Sequence, residues 1–274
     1  NFGVVTWFEF ALHPIGPNVL AGLVVHTMDQ ASDVMRFHRR IMNDLPRDLS
    51  LDLIFLSTPP IETVNPELHG FPIVGLFLRW FGDIDEGWSV IKPIQEFGEP
   101  VADTTAEMTY VELQTMLDEM NPSGNHHYWT GEYVPDLSDD VIEILHEIGD
   151  SRPSPYCIVQ LIPFDGAPTE VPSDATAFSH REESWLVHIL GQWIDAEDSA
   201  DNVAWVKERG RRLRLHGSGQ TYLNLVTDDE EVDRIERFWD DEKRRRLARI
   251  KAEYDPDNRF RFNHNIKPLS AARR

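Results

Sequence analysis

LSLDLIFL at residues 49–56 and FPIVGLFLRWF at residues 71–81 are two apolar runs joined by the proline-broken loop STPPIETVNPE. Each is short, rich in branched and aromatic residues and bounded by turn formers, which reads as a strand. Upstream, Val4 to His13 alternates, with Val5, Trp7, Glu9 and Ala11 on one face and Val4, Thr6, Phe8, Phe10 and Leu12 on the other. Pro14, Gly16 and Pro17 end that run, and Val19 to Thr27 follows as a further strand. Asp29 is placed to cap a helix whose apolar positions Ala31, Val34, Met35, Ile41, Met42 and Leu45 recur at helical spacing until Pro46.

Downstream, a helix is expected over Asp85 to Phe97, carrying Trp88, Ile91 and Ile94 inward. Thr109-Tyr-Val-Glu112 is a capping box. NPSGNHHYWTGEYVPDLSDD (121–140) reads as a long polar and aromatic loop, and Ser138 can cap a helix over Asp139 to Ile148. Tyr156 to Ile162 and Trp185 to Trp193 are strands, Asp198 to Leu213 a helix, and TYLNLV (221–226) a last strand. Val232, Ile235, Trp239, Leu247, Ile250 and Tyr254 mark the final helix. Strand pairs separated by helices, without glycine-rich strand–helix turns, predict an α+β fold: an antiparallel sheet flanked by helices on one face.

The balance of 47 acidic against 26 basic residues gives a net charge of −21 and argues against nucleic acid or an anionic membrane as partner. No apolar run reaches the ~18 residues of a membrane span, so a cytoplasmic location is expected. Only five of the basic residues are Lys, and such an acid-rich, Lys-poor surface suits either a halophile or an ordinary acidic protein. The single Cys157 excludes an internal disulfide and a multi-cysteine metal site. The 11 histidines show no His-x3-His or His-Glu-x-x-His spacing on a predicted helix, so no metal is expected. No G-x-S-x-G elbow, P-loop or dinucleotide fingerprint occurs.

The C-terminal stretch YDPDNRFRFNHNIKP (254–268) follows a charged helix with a helix stop, then alternates Phe260 and Phe262 with polar residues and presents Asn263 and Asn265. Such a tail is expected to close over something, since buried amides need partners. It, TYLNLV, the run DATAFSHR (174–181) and the opening NFGVVTWFEFALHP together resemble, in family order, the berberine-bridge-enzyme-like oxidoreductases of the vanillyl-alcohol-oxidase superfamily of FAD-linked oxidases. The resemblance implies that 1–14 ends an FAD-binding domain, 15–215 is the substrate-binding domain, and 216–274 returns to the flavin. It also implies a front flavin-binding domain not contained in these residues, without which the chain is expected to be inactive and to associate as a homo-oligomer.

Carried over residue by residue, the resemblance places Asn1, Phe2, Gly3, Tyr222, Asn224, Asn263 and Asn265 against FAD. The implied chemistry is oxidation of a small-molecule substrate, a carbohydrate or secondary metabolite, by hydride transfer to the flavin, with dioxygen as acceptor. Leu225 stands where several members carry a tyrosine that acts as catalytic base or hydrogen-bonding group, and leucine can do neither. Tyr128, Tyr133 and His180 are the alternative candidates for that role. A reading of a different class is a non-catalytic binding or assembly module that pairs with a separate flavin subunit.

Overall fold

The computed structural model describes residues 2–58, 67, 69–118, 121–182, 185–227, 229, 234–235 and 238–269. Its framework is one sheet built from β1 (Asn18–Thr27), β2 (Leu49–Ser57), β3 (Pro72–Trp80), β4 (Ala102–Asp103), β5 (Ala106–Thr109), β6 (His126–Val134), β7 (Ile158–Pro163) and β8 (Trp185–Trp193). The strand order is β4-β1-β3-β2-β7-β8-β6, with β5 also on β1, and all the ladders described are antiparallel. The two runs at 49–56 and 71–81 pair in register from Leu49 with Trp80 to Ser57 with Pro72. This is the α+β architecture expected.

Seven helices accompany the sheet among the described residues: α1 (Ala31–Ile41), α2 (Ile84–Gln95), α3 (Tyr110–Thr115), α4 (Asp139–Asp150), α5 (Ala167–Glu170), α6 (Ser199–Arg214) and α7 (Asp241–Tyr254). Period-two side-chain direction splits each strand between two faces. Leu51, Leu53 and Phe55 join Val74, Leu76, Val187 and Ile189 under α1, α2, α4 and α6, which supply Val34, Met35, Ile91, Ile94, Ile142, Leu145, Val206 and Leu213. Each such side chain contributes roughly 1.5–3 kcal/mol by leaving water. The opposite face, at the β1-β3-β2 end, has a smaller core of Val19, Ala21, Ile54, Leu56, Ile73 and Phe77, against which α3 packs Leu113. Helices therefore favour one face without owning it. Towards β7, β8 and β6 that second face is left for the chain's last third.

Local signals hold where they rest on side-chain chemistry. Ser138 accepts from the Val141 amide, and Thr109 and Glu112 form the reciprocal capping box. Other expectations are corrected. Asp29 does not cap α1, because a 3-10 turn over Met28–Gln30 intervenes and Gln30 takes the cap position. Trp88 is exposed on α2; the buried position is Gly87, where a Cβ would come within 2.4 Å of Trp80 Cδ1. Val4 to His13 is not a strand of the sheet, and its apolar residues stand in solvent on both faces, with Trp7 69% and Leu12 87% exposed. An alternating run becomes a strand only when an edge accepts its backbone, and the sheet edge here is already occupied by β4 and β5. The expected loop at 121–140 contains β6 instead. TYLNLV forms a 3-10 turn over Leu223–Leu225 where a strand was expected. A last helix spans Asp241–Tyr254, capped by Asp240, and its buried face is Lys243, Leu247 and Lys251 while Tyr254 is exposed; Val232 lies outside the described residues.

Candidate functional site

β6 supports the site because its two faces do different work. Thr130 and Glu132 face α6, where Gly210 leaves room for the Thr130 methyl: a Cβ there would lie 2.7 Å from Thr130 Cγ2. Glu132 is buried and ion-pairs with Arg214 of α6 and with the buried Arg234. Arg234 also donates to the Gly131 and Gln220 carbonyls, and Thr221 Oγ donates to Gly131 O at 2.6 Å. On the outer edge of β6, the Ser218 amide donates to Tyr133 O and the Tyr133 amide to Gln220 O. These bonds clamp Ser218 to Thr221, and Arg234, along the strand and cover an edge that would otherwise invite pairing.

The clamp decides where Tyr222, Asn224 and Leu225 stand. Leu225 lies over Gly131, so close that a Cβ on Gly131 would be 3.0 Å from Leu225 Cβ. Asn224 is exposed. Tyr222 is half-buried, with its ring edge-on to Phe178 at 6.1 Å. Phe178 belongs to an aromatic cluster on the second face of the sheet that links Phe164, Tyr133, His180 and Phe238. His180 adopts a left-handed φ of 61°, a conformation unusual for any residue but glycine. Its Nε2 donates to Phe238 O at 2.9 Å, which leaves Nδ1 without the proton in the neutral ring. Burial, with a smaller contribution from nearby Lys243, pushes the imidazole below its usual range, opposing the backbone hydrogen bond. The structure thus brings Tyr133, His180 and Tyr222 together.

Tyr128 stands apart, on the α6 face of β6. Its hydroxyl donates to Asp229 Oδ1 at 2.8 Å, Thr227 Oγ reaches the same carboxylate, and Lys207 pairs with Asp229 Oδ2. Burial raises the phenol above its ordinary range. The Lys207 and Thr227 hydrogen bonds hold Asp229 well below the usual carboxylate range. These groups line a cleft of about 270 Å³ with Trp129, Thr130, Gly210, Arg211 and Arg214. Each cation in it already has a carboxylate partner.

The tail forms a third group. Asp255 pairs with Lys251 at 2.6 Å and accepts from the Arg259 and Phe260 amides, while Lys251 also donates to Phe260 O. This fixes the YDPDN turn, with Asn258 in the left-handed region that an asparagine tolerates. Phe2 reaches the same place, its ring 5.8 Å from Lys251 Nζ. Gly3 is exposed with nothing within 4 Å of a Cβ, so no close approach among the described residues requires glycine there. Asn1 lies outside the described residues. Phe262 is 79% exposed and Asn263 is exposed at φ 58°. Asn265 is half-buried, and its Oδ1 is sealed from solvent without a hydrogen-bond partner. The tail therefore carries a sealed amide oxygen without a partner among the described residues. α7 ties this tail to the aromatic cluster, since Lys243 Nζ donates to the Ser173 and Phe178 carbonyls and to Ser179 Oγ.

The same C-terminal stretch carries a family match: the model described as "Berberine and berberine like" covers residues 221–267. That C-terminal stretch is berberine-bridge-enzyme-like. The chain is similar over 98% of its length to an FAD-linked oxidoreductase of Dictyostelium discoideum, at 26% identity, covering 56% of that protein. It is 24% identical to (R)-6-hydroxynicotine oxidase of Paenarthrobacter nicotinovorans, covering 98% of this chain and 58% of the relative. Its fold superposes on berberine bridge enzyme from Eschscholzia californica with a TM-score of 0.74 at 17% identity, over 93% of this chain and 56% of that one. The chain spans about half the length of the relatives it matches. No group of three or more His, Cys, Asp or Glu suited to a metal occurs among the described residues, and no described helix is long and apolar enough to cross a membrane.

Missing from the sequence reading were Glu132, Arg214 and Arg234, which hold the site segment, and Lys207 and Asp229, which hold Tyr128. Each belongs to a pairing between distant stretches of the chain, which no local spacing marks.

Proposed function

We propose that this chain is the substrate-facing and C-terminal part of an FAD-dependent oxidoreductase that acts on a small-molecule substrate. The observation that carries the reading is the tail: Asn265 Oδ1 is buried without a partner next to an exposed, left-handed Asn263. An orphaned amide oxygen costs about 1–3 kcal/mol, and a flavin's N–H and hydroxyl groups would satisfy it. The residues present therefore fit the cofactor. Asn263, Asn265 and Asn224 are the hydrogen-bonding contacts, and Tyr222, Phe2 and Gly3, with Asn1, flank them. When bound, the flavin accepts a hydride from substrate carbon.

In this reading the residues divide as 1–14, 15–215 and 216–274: the end of a flavin-binding domain, the substrate-binding domain, and the segment that returns to the flavin. The remainder of the flavin-binding domain is a partner outside these residues. It covers the arm of Val4, Trp7, Phe8, Phe10 and Leu12, whose apolar side chains are exposed among the described residues. The second face of the sheet, around Tyr133, His180 and Leu225, is the substrate side. A carbohydrate or secondary metabolite is the substrate and dioxygen the acceptor.

The test is cofactor retention. The protein extended at its N-terminus by the flavin-binding domain should stay yellow after desalting, and this chain alone should be colourless. Substituting both Asn263 and Asn265 by Ala should weaken flavin retention at least tenfold. An extended protein that never holds flavin would sink the enzyme reading and leave a non-catalytic assembly module.

A further inference from the structure

The stretch that begins at Ser218 crosses the edge of the sheet. Residues 218–221 run along the outer side of β6, from the Ser218 amide on Tyr133 O to Thr221 Oγ on Gly131 O. Leu225 then lies over Gly131 on the second face, next to Leu186, and its amide donates to Tyr222 O at 2.8 Å to close the turn. By Thr227 the chain has passed to the other face. There Thr227 Oγ is 3.3 Å from the Tyr128 hydroxyl, and that hydroxyl donates to Asp229 Oδ1 at 2.8 Å. Strand period two puts Gly131 and Tyr128 on opposite faces of β6. The segment therefore straddles the edge strand, and Tyr222 and Asn224 lie between its two attachments.

The two attachments differ in kind. The first is backbone pairing reinforced by the buried Arg234 on Gly131 O and Gln220 O. The second is built around one carboxylate: Asp229 accepts from Tyr128, from Thr227 at 2.7 Å and from Lys207 of α6 at 2.5 Å. The Lys207 ammonium also stands 5.4 Å from the centre of the Tyr128 ring. Hydrogen bonds to an ionised group are roughly twice as strong as neutral ones, and the Lys207 and Thr227 bonds keep Asp229 ionised at neutral pH. Yet the Lys207 and Asp229 side chains are 53% and 49% exposed, so this is the end that water can open. Tyr128 has committed its proton to Asp229, and burial raises its phenol, which keeps it protonated at neutral pH. It lies among α6 residues, away from Tyr133 and His180 on the second face.

We propose that Tyr128, Lys207 and Asp229 are positioning residues, a latch that holds the Tyr222–Asn224 turn across the edge of β6. Opening it frees the turn while residues 218–221 stay paired. The consequence for the flavin rests on the reading that Tyr222 and Asn224 flank the cofactor; the latch itself does not.

The test on this chain is hydrogen exchange at the Leu225 amide, which reports the turn, with the amide of Leu76, fully buried on β3, as internal reference. Tyr128→Phe and Asp229→Ala should each speed exchange at Leu225 about tenfold and leave Leu76 within about twofold. Lys207→Met should speed it about threefold, since a half-exposed ion pair holds less, and Lys207→Arg, which keeps a cation for Asp229, should match the parent. Arg211→Ala, on the same helix but paired with Glu208, should leave both amides unchanged. A Leu225 amide that exchanges freely in the parent, an unchanged rate in Tyr128→Phe, equal acceleration in Arg211→Ala, or Leu225 and Leu76 accelerating together each overturns the latch. In the extended, flavin-loaded protein Tyr128→Phe should lower kcat about threefold to tenfold and keep the shape of its pH profile. A loss beyond about a hundredfold, with one limb of the profile gone, would make Tyr128 the base and overturn its positioning role. If that protein holds no flavin, the proposed function falls and the exchange result stands.

Discussion

Lowering the pH should unfold this chain through His38, and the size of the effect follows from its surroundings. His38 is fully buried on α1, its Nε2 donates to Leu51 O at 2.9 Å, and its ring meets Trp185 edge-on at 5.3 Å. Burial, only partly offset by that backbone bond, lowers its pKa to about 4 from 6.5. Because the folded pKa is depressed, the unfolded chain takes up the proton first as pH falls. Stability is therefore untouched above about pH 6.5 and drains away between there and about pH 4. Linkage puts the loss between pH 7 and pH 4.5 at roughly 2.5 kcal/mol for this one residue. The assay is urea denaturation of the parent and of His38→Gln at both pH values. Glutamine keeps an N–H for Leu51 O and cannot titrate, so the variant, though less stable at pH 7, should lose about 2.5 kcal/mol less on acidification. The carboxylates titrate alike in both proteins and cancel in the difference. Equal losses in parent and variant would refute the assignment of His38 as a buried neutral imidazole.

Arg234→Met should cost about 3–5 kcal/mol in urea denaturation, because it removes a partner from the buried Glu132 carboxylate and the donor to the Gly131 and Gln220 carbonyls. Gly149→Ala should cost about 1–3 kcal/mol by thermal unfolding, since its Cβ would lie 2.3 Å from Phe55 Cδ1 in the main core. Replacing Trp7, Phe8 and Phe10 together by Ser should leave the unfolding midpoint within about 0.5 kcal/mol of the parent, as these side chains are exposed, while reducing both hydrophobic-dye binding and any self-association seen by sedimentation. With a net charge of −21, raising KCl from about 0.1 M to 1 M should raise the unfolding midpoint as screening relieves self-repulsion.

Much of the architecture was legible because its signals are local. Leu49 to Leu56 and Phe71 to Phe81 are apolar runs bounded by turn formers, Trp185 to Trp193 alternates, and the strands found match them to within a residue or so. The caps at Ser138 and Thr109 need only a side chain and an amide three residues on. β6 was missed because HHYWTGEYV lacks a run of apolar residues. Glu132 can sit buried on that strand only because Arg214 and Arg234, 82 and 102 residues away, neutralise it. TYLNLV failed in the opposite sense: its branched, apolar residues look like a strand, yet Thr221 and the Leu225 amide spend their bonds on Gly131 O and Tyr222 O. Val4 to His13 shows that alternation is a capacity for pairing and not a pairing.

The candidate site divides in the same way. Tyr222, Asn224, Leu225, Asn263 and Asn265 were marked by the order of residues along the chain, since a motif is a property of sequence. Whether Tyr128, Tyr133 and His180 could share a site was not, because strand period two sends Tyr128 and Tyr133 to opposite faces once β6 is known to be a strand. The latch of Tyr128, Lys207 and Asp229 is further still from sequence. It forms only where the segment after Leu225 crosses the edge of β6 and meets α6, so it depends on three stretches of chain that folding brings together. Sequence fixed which side chains can donate, accept or stay apolar; register, burial and long-range ion pairs decided which of them face one another, because those forces act only between residues the folded sheet has already brought together.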